Sequence, residues 1–155
     1  MKMSTKGFTL LELMIVIFVL ALIFSVSLSS IKNLYRTAEY RDSVRQLVSA
    51  VKNARRLARA NGHSYDVIID AERNYFALTD DPDDLKAINY SQLPADLQIE
   101  VIYAAEVSPK QNLAAIRFYP AGGSSGGEIK IWRPSGSGTQ LVIDWLLGNV
   151  MQEQL

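Results

Sequence analysis

The chain begins with a long apolar run that carries a single carboxylate, Glu12, near its start. No polar residue occurs from residue 13 to residue 24, and residues 25–31 interrupt the apolar sequence only with serines. Residues 13–31 would form a helix of about 28 Å, close to the hydrocarbon thickness of a bilayer. Because residues 8–61 contain neither proline nor glycine, we predict a helix that continues well beyond the apolar run.

The hydrophobic pattern becomes one-sided in the second half of this helix. The spacing i, i+3, i+4, i+7 predicts one buried face, made of Val44, Leu47, Val48, Val51, Ala54, Leu57 and Ala58. The opposite face carries a basic cluster, Arg55, Arg56 and Arg59. A solvated helix face is the preferred interpretation of this cluster, and a contact for lipid, nucleic acid or a partner subunit is the alternative. The pair Asn61-Gly62 predicts the end of the helix.

From residue 64 onward the pattern changes to short strands separated by turns. Residues 64–70 and 75–79 predict a hairpin with a turn at 71–74, and residues 80–97 predict a long loop. Four more segments have strand character: residues 97–104, 114–120, 128–133 and 140–147. We predict an α+β fold in which a long N-terminal helix packs against an antiparallel β domain, which consists of two sheets.

Two glycine- and serine-rich stretches interrupt the predicted strands. Residues 121–127 could suggest a phosphate-binding loop, but no Lys-Ser or Lys-Thr and no helix follow them. We therefore predict a flexible hairpin loop there. Residues 134–138 predict a turn of the same kind.

Composition excludes several classes of functional site. Sixteen basic and sixteen acidic residues balance, so there is no global attraction to nucleic acid or acidic lipid. The chain lacks cysteine and has one histidine, His63, which excludes thiolate and multi-histidine metal sites. It also lacks the G-x-S-x-G elbow of serine hydrolases. We expect a protein that is not an enzyme, with no catalytic residue, metal or cofactor.

An acidic stretch in the predicted loop is a candidate for calcium binding. Four of residues 80–84 are aspartates, and oxygen-rich loops can bind calcium. However, the stretch lacks the alternating ligands, central glycine and closing glutamate of an EF-hand loop. A solvated acidic loop is the preferred interpretation, and calcium binding stays an open alternative.

Glu12 is difficult to explain by ordinary targeting signals. A carboxylate inside a membrane helix costs roughly 2.5–3.5 kcal/mol on insertion scales. A cleaved secretory signal, with Lys2 and Lys6 as its basic region, and a simple uncleaved anchor are both compatible with the apolar run. Neither explains why a glutamate occupies position 12.

The stretch KGFTLLELMIVI resembles the N-terminus of type IV pilins and type II secretion pseudopilins. The resemblance rests on the basic leader, the pair Gly7-Phe8 and the glutamate at position 12 ahead of an apolar helix. It implies that a prepilin peptidase cuts after Gly7 and methylates the new amino group of Phe8. It also implies that Glu12 directs assembly by facing the Phe8 amine of a neighbouring subunit. Pairing with Phe8 of its own helix is a local alternative, and a protonated glutamate near the interface is another.

A second resemblance concerns the C-terminal part of the chain. Residues 116–150 are similar to the C-terminal half of H-type minor pseudopilins and of related minor pilins. The shared features are Phe118, Pro120 and Gly122, a Ser/Gly loop, and Gly148 and Val150 at the end. Residues 80–112 match no pattern of this family.

The two resemblances imply a division of the chain into four segments. These are a cleaved leader (1–7), a transmembrane and assembly helix (8–31), an amphipathic periplasmic helix (32–61) and a periplasmic β domain (62–155). The protein would cross the bacterial inner membrane once, with its N-terminus in the cytoplasm before processing.

The implied function is that of an H-type minor pseudopilin in a type II secretion system. Its partners would be the major and other minor pseudopilins, the prepilin peptidase and the inner-membrane secretion platform, with secreted cargo as a further candidate. The alternative is a minor pilin that primes a type IV pilus or takes up DNA. The tail, residues 149–155, has no cation and one acid, which disfavours nucleic-acid binding. A membrane-anchored periplasmic enzyme is a third, weaker alternative.

Overall fold

A computed structural model of the chain describes residues 9–82, 84, 88–109 and 112–155, with side chains omitted for residues 24–33. It contains two compact units, Met1–Ala38 and Glu39–Leu155, which are described in turn. Gly7 and Phe8 lie outside the described residues, as does Asp83 of the acidic stretch.

One helix, α1, extends over Leu10–Asn61 and confirms the prediction of a long N-terminal helix. It ends where the sequence predicted. Gly62 has a positive φ of 74°, and its N–H donates to the carbonyl of Ala58 at 3.1 Å. Glycine adopts this conformation without the strain that a Cβ would add.

The first unit is dominated by exposed apolar side chains. Every large apolar residue from 10 to 23 is exposed, with exposed fractions from 46% to 80%. Such a helix, apolar on all sides, has no stripe that a single folded domain could cover. Over the part of the chain that is described, no helix has the length and apolarity that crossing a membrane requires.

The second unit contains two four-stranded antiparallel sheets. The strand order is β3-β2-β1-β5 in the first sheet and β4-β6-β7-β8 in the second. A short 3₁₀ helix, Ala105–Val107, follows β4. The strands are β1 Tyr65–Asp70, β2 Tyr75–Thr79, β3 Ser91–Gln92, β4 Gln98–Tyr103, β5 Ala114–Phe118, β6 Gly127–Trp132, β7 Gly138–Ile143 and β8 Val150–Gln154. The predicted α+β architecture with two sheets is confirmed.

Both predicted tight turns are present. β1 pairs with β2, and the Asp70 carboxylate accepts hydrogen bonds from the backbone N–H groups of Glu72 and Arg73 at 3.1 and 3.0 Å. An aspartate that bonds the backbone two and three residues ahead favours a turn. Between β6 and β7, the Arg133 N–H donates to the Ser137 carbonyl at 2.9 Å, which closes the second turn.

The C-terminal tail contains a strand that the sequence pattern did not predict. The predicted strand over residues 140–147 ends at Ile143, and the tail forms a separate strand, β8, at one end of the second sheet. Residues 151–154 are exposed, so β8 shows no alternation of buried and exposed positions. Its pairing with β7 depends on the backbone, which side-chain patterns do not reveal.

The glycine-serine loop, residues 121–127, was also predicted wrongly as a flexible hairpin. β5 belongs to the first sheet and β6 to the second, so the loop that joins them crosses between sheets. Gly123, Ser124 and Gly126 are buried in it. A crossover that carries buried backbone must satisfy its polar groups, and this requirement gives the loop a defined conformation.

The core lies between α1 and both sheets. Five of the predicted helix residues are buried: Val44, Leu47, Val51, Ala54 and Ala58. They belong to one apolar cluster with Val67 and Ile69 of β1, Ile116 and Phe118 of β5, Ile129 and Ile131 of β6, and Leu141 and Ile143 of β7. Val48 and Leu57 are only partly buried.

Tyr40 extends this core beyond the predicted face of the helix. Its hydroxyl donates to the Thr139 hydroxyl at 2.6 Å, and the guanidinium of Arg133 lies 4.8 Å from its ring centre. A buried tyrosine needs such a partner for its hydroxyl. The contact joins the helix to β7.

Candidate functional site

The start of α1 places Glu12 in the first helical turn, with Thr9 as the capping residue. The carbonyl of Thr9 accepts hydrogen bonds from the N–H groups of Glu12 and Leu13 at 3.1 and 3.2 Å. The Thr9 hydroxyl also accepts from the Glu12 N–H at 3.3 Å. A threonine followed three residues later by a glutamate is the pattern of a capping box. This role of Thr9 was missed, although the spacing of Thr9 and Glu12 could have revealed it.

The surroundings of Glu12 leave its carboxylate accessible. The residue is exposed on the helix, between exposed leucines at positions 11 and 13. No cation pairs with it among the described residues. The positive end of the helix dipole favours a carboxylate in the first turn, so Glu12 has a local stabilising role as well. Its carboxylate is available to a partner.

His63 and Asp80 form a surface pair. Nε2 of His63 lies 3.2 Å from Oδ2 of Asp80, and both side chains are about half exposed. The His63 ring stacks on Tyr65 with ring centres 5.0 Å apart. The hydrogen bond from His63 lowers the pKa of Asp80 below its usual 3.8. Any stabilisation from this pair is therefore present above the usual carboxyl pKa and is lost as the pH falls through the lowered value.

Two aspartate side chains of the acidic stretch already make local contacts. The Asp84 N–H donates to the Asp81 carboxylate at 3.3 Å, while Asp80 pairs with His63. Among the residues whose positions are described, no group of three or more histidine or acidic side chains is arranged to hold a metal ion. The calcium alternative gains no support from this geometry.

The basic cluster lines a cleft instead of a plain solvated face. Arg55, Arg56 and Arg59 are joined by Lys52 along one wall, and residues 148–150 form the other. We call this feature the basic cleft; its volume is about 630 Å³. The Arg55 guanidinium donates to the side-chain carbonyl of Asn149 at 2.7 Å. The sequence could not indicate that the β7–β8 connection would face these cations.

The glycine-serine loop supports the β7–β8 connection, residues 144–149. The Ser124 N–H donates to the carbonyl of Trp145 at 2.8 Å, and its hydroxyl donates to the carbonyl of Asp144 at 2.9 Å. Gly123 has a φ of 81°, and a Cβ there would lie 2.8 Å from the Trp145 carbonyl oxygen. The polar groups of Ser124 are therefore used in hydrogen bonds to the backbone of the β7–β8 connection.

The tip of the β7–β8 connection, residues 145–147, exposes apolar side chains; we call it the apolar tip. Trp145, Leu146 and Leu147 are 68%, 61% and 52% exposed, although their backbone is held by hydrogen bonds. The Leu147 N–H donates to the Asp144 carboxylate at 2.5 Å, and the Gly148 N–H donates to the Asp144 carbonyl at 2.9 Å. Rigidly displayed tryptophan and leucine side chains are typical of contact surfaces between proteins.

Comparison with known families finds a described motif at the N-terminus. Residues 2–28 match the prokaryotic N-terminal methylation motif. The matched region contains Gly7, Phe8 and Glu12, and it includes the first turns of α1. No curated protein sequence matches the chain.

Solved structures resemble the described fold at low sequence identity. The minor pseudopilin EpsH from the type 2 secretion system of Vibrio cholerae has a TM-score of 0.53 at 15% identity, covering 76% of this chain and 96% of EpsH. The type IV minor pilin FimU of Pseudomonas aeruginosa has a TM-score of 0.57 at 14% identity, covering 76% of this chain and 90% of FimU. A second crystal form of FimU gives 0.55 at 12% identity, with 73% of this chain and 91% of FimU covered. The chain thus combines the N-terminal methylation motif of prokaryotic prepilins with a type IV pilin-like α+β fold.

Proposed function

We propose that the chain is a minor pseudopilin of a type II secretion system. It would assemble through its N-terminal helix into the periplasmic pseudopilus that drives protein export across the outer membrane. The observation that carries the proposal is a methylation motif followed by an apolar helix with one accessible carboxylate, Glu12, on a pilin-like fold. This role is structural, so it requires no catalytic residue, metal or cofactor.

The proposed topology follows the order of segments along the chain. The leader, residues 1–7, is removed after Gly7, and the new amino group of Phe8 is methylated. Residues 8–31 lie in the inner membrane, and residues 32–155 lie in the periplasm. The exposed apolar side chains of residues 13–23 support this placement, because lipid or neighbouring helices can cover them on all sides.

Glu12 would control assembly by pairing with a neighbouring subunit. Cleavage after Gly7 creates a cationic amine at Phe8, in the same apolar layer as Glu12. In a low-dielectric environment, a carboxylate and an amine that are both desolvated attract strongly when each has the other as partner. The exposure of Glu12 in this structure is compatible with such a pair between subunits.

A minor pilin of a type IV pilus is the second candidate. The similarity to FimU, with a TM-score of 0.57, favours it as much as the similarity to EpsH favours secretion. The charge of the C-terminal region disfavours a minor pilin that takes up DNA. Residues 134–155 contain no lysine or arginine and two acids, Asp144 and Glu153, and DNA binding draws most of its affinity from cations against phosphate.

Processing at Gly7 tests the prepilin assignment directly. We expect mass spectrometry of the native protein to show a mature chain that begins with methylated Phe8. Gly7→Ala should slow cleavage and leave an uncut band on a gel, because the peptidase must bind the chain closely at this position. Gly136→Ala is the matched control: it adds strain to a turn residue with a φ of 86°, but it leaves the leader unchanged and should be cut normally. A mature chain that begins at another residue would contradict the assignment.

Complementation separates the two candidate functions. We expect the intact gene to restore protein export in a strain that lacks the corresponding minor pseudopilin gene. Restored piliation or DNA uptake in a minor-pilin deletion strain, with no effect on export, would favour the second candidate.

A further inference from the structure

The basic cleft contains more positive charge than the fold uses. Lys52, Arg55, Arg56 and Arg59 follow the spacing i, i+3, i+4, i+7, so all four lie on one face of α1. The cleft has no acidic residue in its lining, and none of the four cations has an ion-pair partner in the described part of the chain. We propose that this cleft binds an acidic segment of a protein partner.

Helix stability does not account for the cations. Basic residues near a helix C-terminus interact favourably with the dipole, but the effect is confined to the last turn. In the last turn of α1, Arg59 is the only basic residue. Lys52, Arg55 and Arg56 lie before it, and like charges at this spacing destabilise a helix. An anionic partner would remove this repulsion.

The cleft is partly preorganised for carboxylates. Arg55 is held by its hydrogen bond to Asn149, and its Nε is enclosed without an acceptor within the described structure. The Arg59 guanidinium lies against Gly122, where a Cβ would be only 3.0 Å from Nη2. The Arg55 guanidinium, held by Asn149, can donate to a carboxylate with less loss of side-chain entropy than a free arginine, and Arg56 and Arg59 are exposed beside it.

The surroundings favour a polypeptide over a nucleic acid. Val150 lines the cleft, and the exposed apolar tip, residues 145–147, is part of the same β7–β8 connection. A nucleic acid would need further cations along its path, but residues 134–155 provide none. A volume of about 630 Å³ falls in the usual range of binding clefts, and a short segment with acidic and apolar side chains fits both features.

This proposal does not depend on the proposed function. It concerns the far end of α1 and not Glu12 or the methylation motif. It can therefore hold for a pseudopilin or for a pilin, and it can fail while the assembly role is correct.

Binding of a defined acidic peptide tests the proposal. The full-length chain in detergent is titrated with a fluorescent ten-residue peptide that has four glutamates and two leucines, and binding is followed by fluorescence anisotropy. We expect the double variant R56Q/R59Q to bind at least about tenfold more weakly than the unmodified chain, with binding that also weakens as salt increases. Both residues are exposed, so the substitutions leave the core unchanged.

The matched control removes the same charge elsewhere on α1. R41Q/R45Q replaces two exposed arginines outside the cleft and should bind like the unmodified chain. If both double variants weakened binding equally, net charge alone would explain the effect, and the proposal would be overturned. Failure of the unmodified chain to bind the peptide, binding unchanged in R56Q/R59Q, or tighter binding of a single-stranded DNA of equal charge would overturn it too.

Discussion

Glu12→Ala is expected to leave cleavage after Gly7 intact and to abolish incorporation of the chain into an assembled fibre. The carboxylate is exposed in the first turn of α1, where the proposed function pairs it with the Phe8 amine of a neighbour. Without it, that amine would be buried without a counterion, which costs several kcal/mol. The measurements are processing on a gel and the recovery of the subunit in sheared or cross-linked fibres.

Glu12→Gln separates the charge of Glu12 from its position in the capping box. The contacts of Glu12 with Thr9 use the Glu12 backbone N–H, and glutamine has nearly the same shape as glutamate, so this variant keeps the local geometry but has no charge. We expect it to fail in assembly like Glu12→Ala. Normal assembly of the glutamine variant would contradict the charge pairing.

Glu39→Ala provides the matched control for the assembly experiment. Glu39 is also an exposed glutamate of α1, but it lies outside the apolar run. The substitution changes the net charge by the same amount, and we expect it to assemble normally. A loss of assembly in this control would show that any missing acid of the helix disrupts the fibre.

Asp66→Ala is expected to reduce the free energy of unfolding by about 2–4 kcal/mol. Asp66 in β1 and Arg117 in β5 are cross-strand neighbours, and the Arg117 guanidinium donates to both carboxylate oxygens at 2.8 and 2.7 Å. The Asp66 side chain is 2% exposed, whereas that of Arg117 is 31% exposed. Loss of the carboxylate leaves a guanidinium without its bidentate partner, but water can still reach part of it, so we expect less than the full penalty of a buried pair. Urea unfolding followed by circular dichroism measures the change.

A second variant distinguishes this pair from ordinary packing. Arg117→Leu added to Asp66→Ala should recover part of the lost stability, because the charge that loses its carboxylate is then removed as well. Asp42→Ala is the control: Asp42 is 68% exposed in an ion pair with Arg45, and its loss should change stability by less than about 1 kcal/mol. An Asp66→Ala variant as stable as the Asp42→Ala control would contradict the expected role of the pair.

Local patterns were sufficient to predict the helix and the first hairpin. The end of α1 at Asn61 follows from the glycine at position 62, and its buried face follows from the 3.6-residue period of the apolar positions. The β1–β2 turn follows from Asp70 and its neighbours, which bond within a few residues of each other. Gly7 and Phe8 lie outside the described residues, so their roles stay predictions based on the motif.

Contacts between residues that are far apart in the sequence are visible only in the folded structure. β8 has no apolar alternation and exists because β7 offers it a backbone partner. The glycine-serine loop was mistaken for a flexible hairpin because its hydrogen bonds go to Trp145 and Asp144, about twenty residues away. The basic cleft likewise needs residues 148–150 opposite α1. Sequence periodicity and turn chemistry act over a few residues, whereas these features depend on which strands pair and where their connections pack.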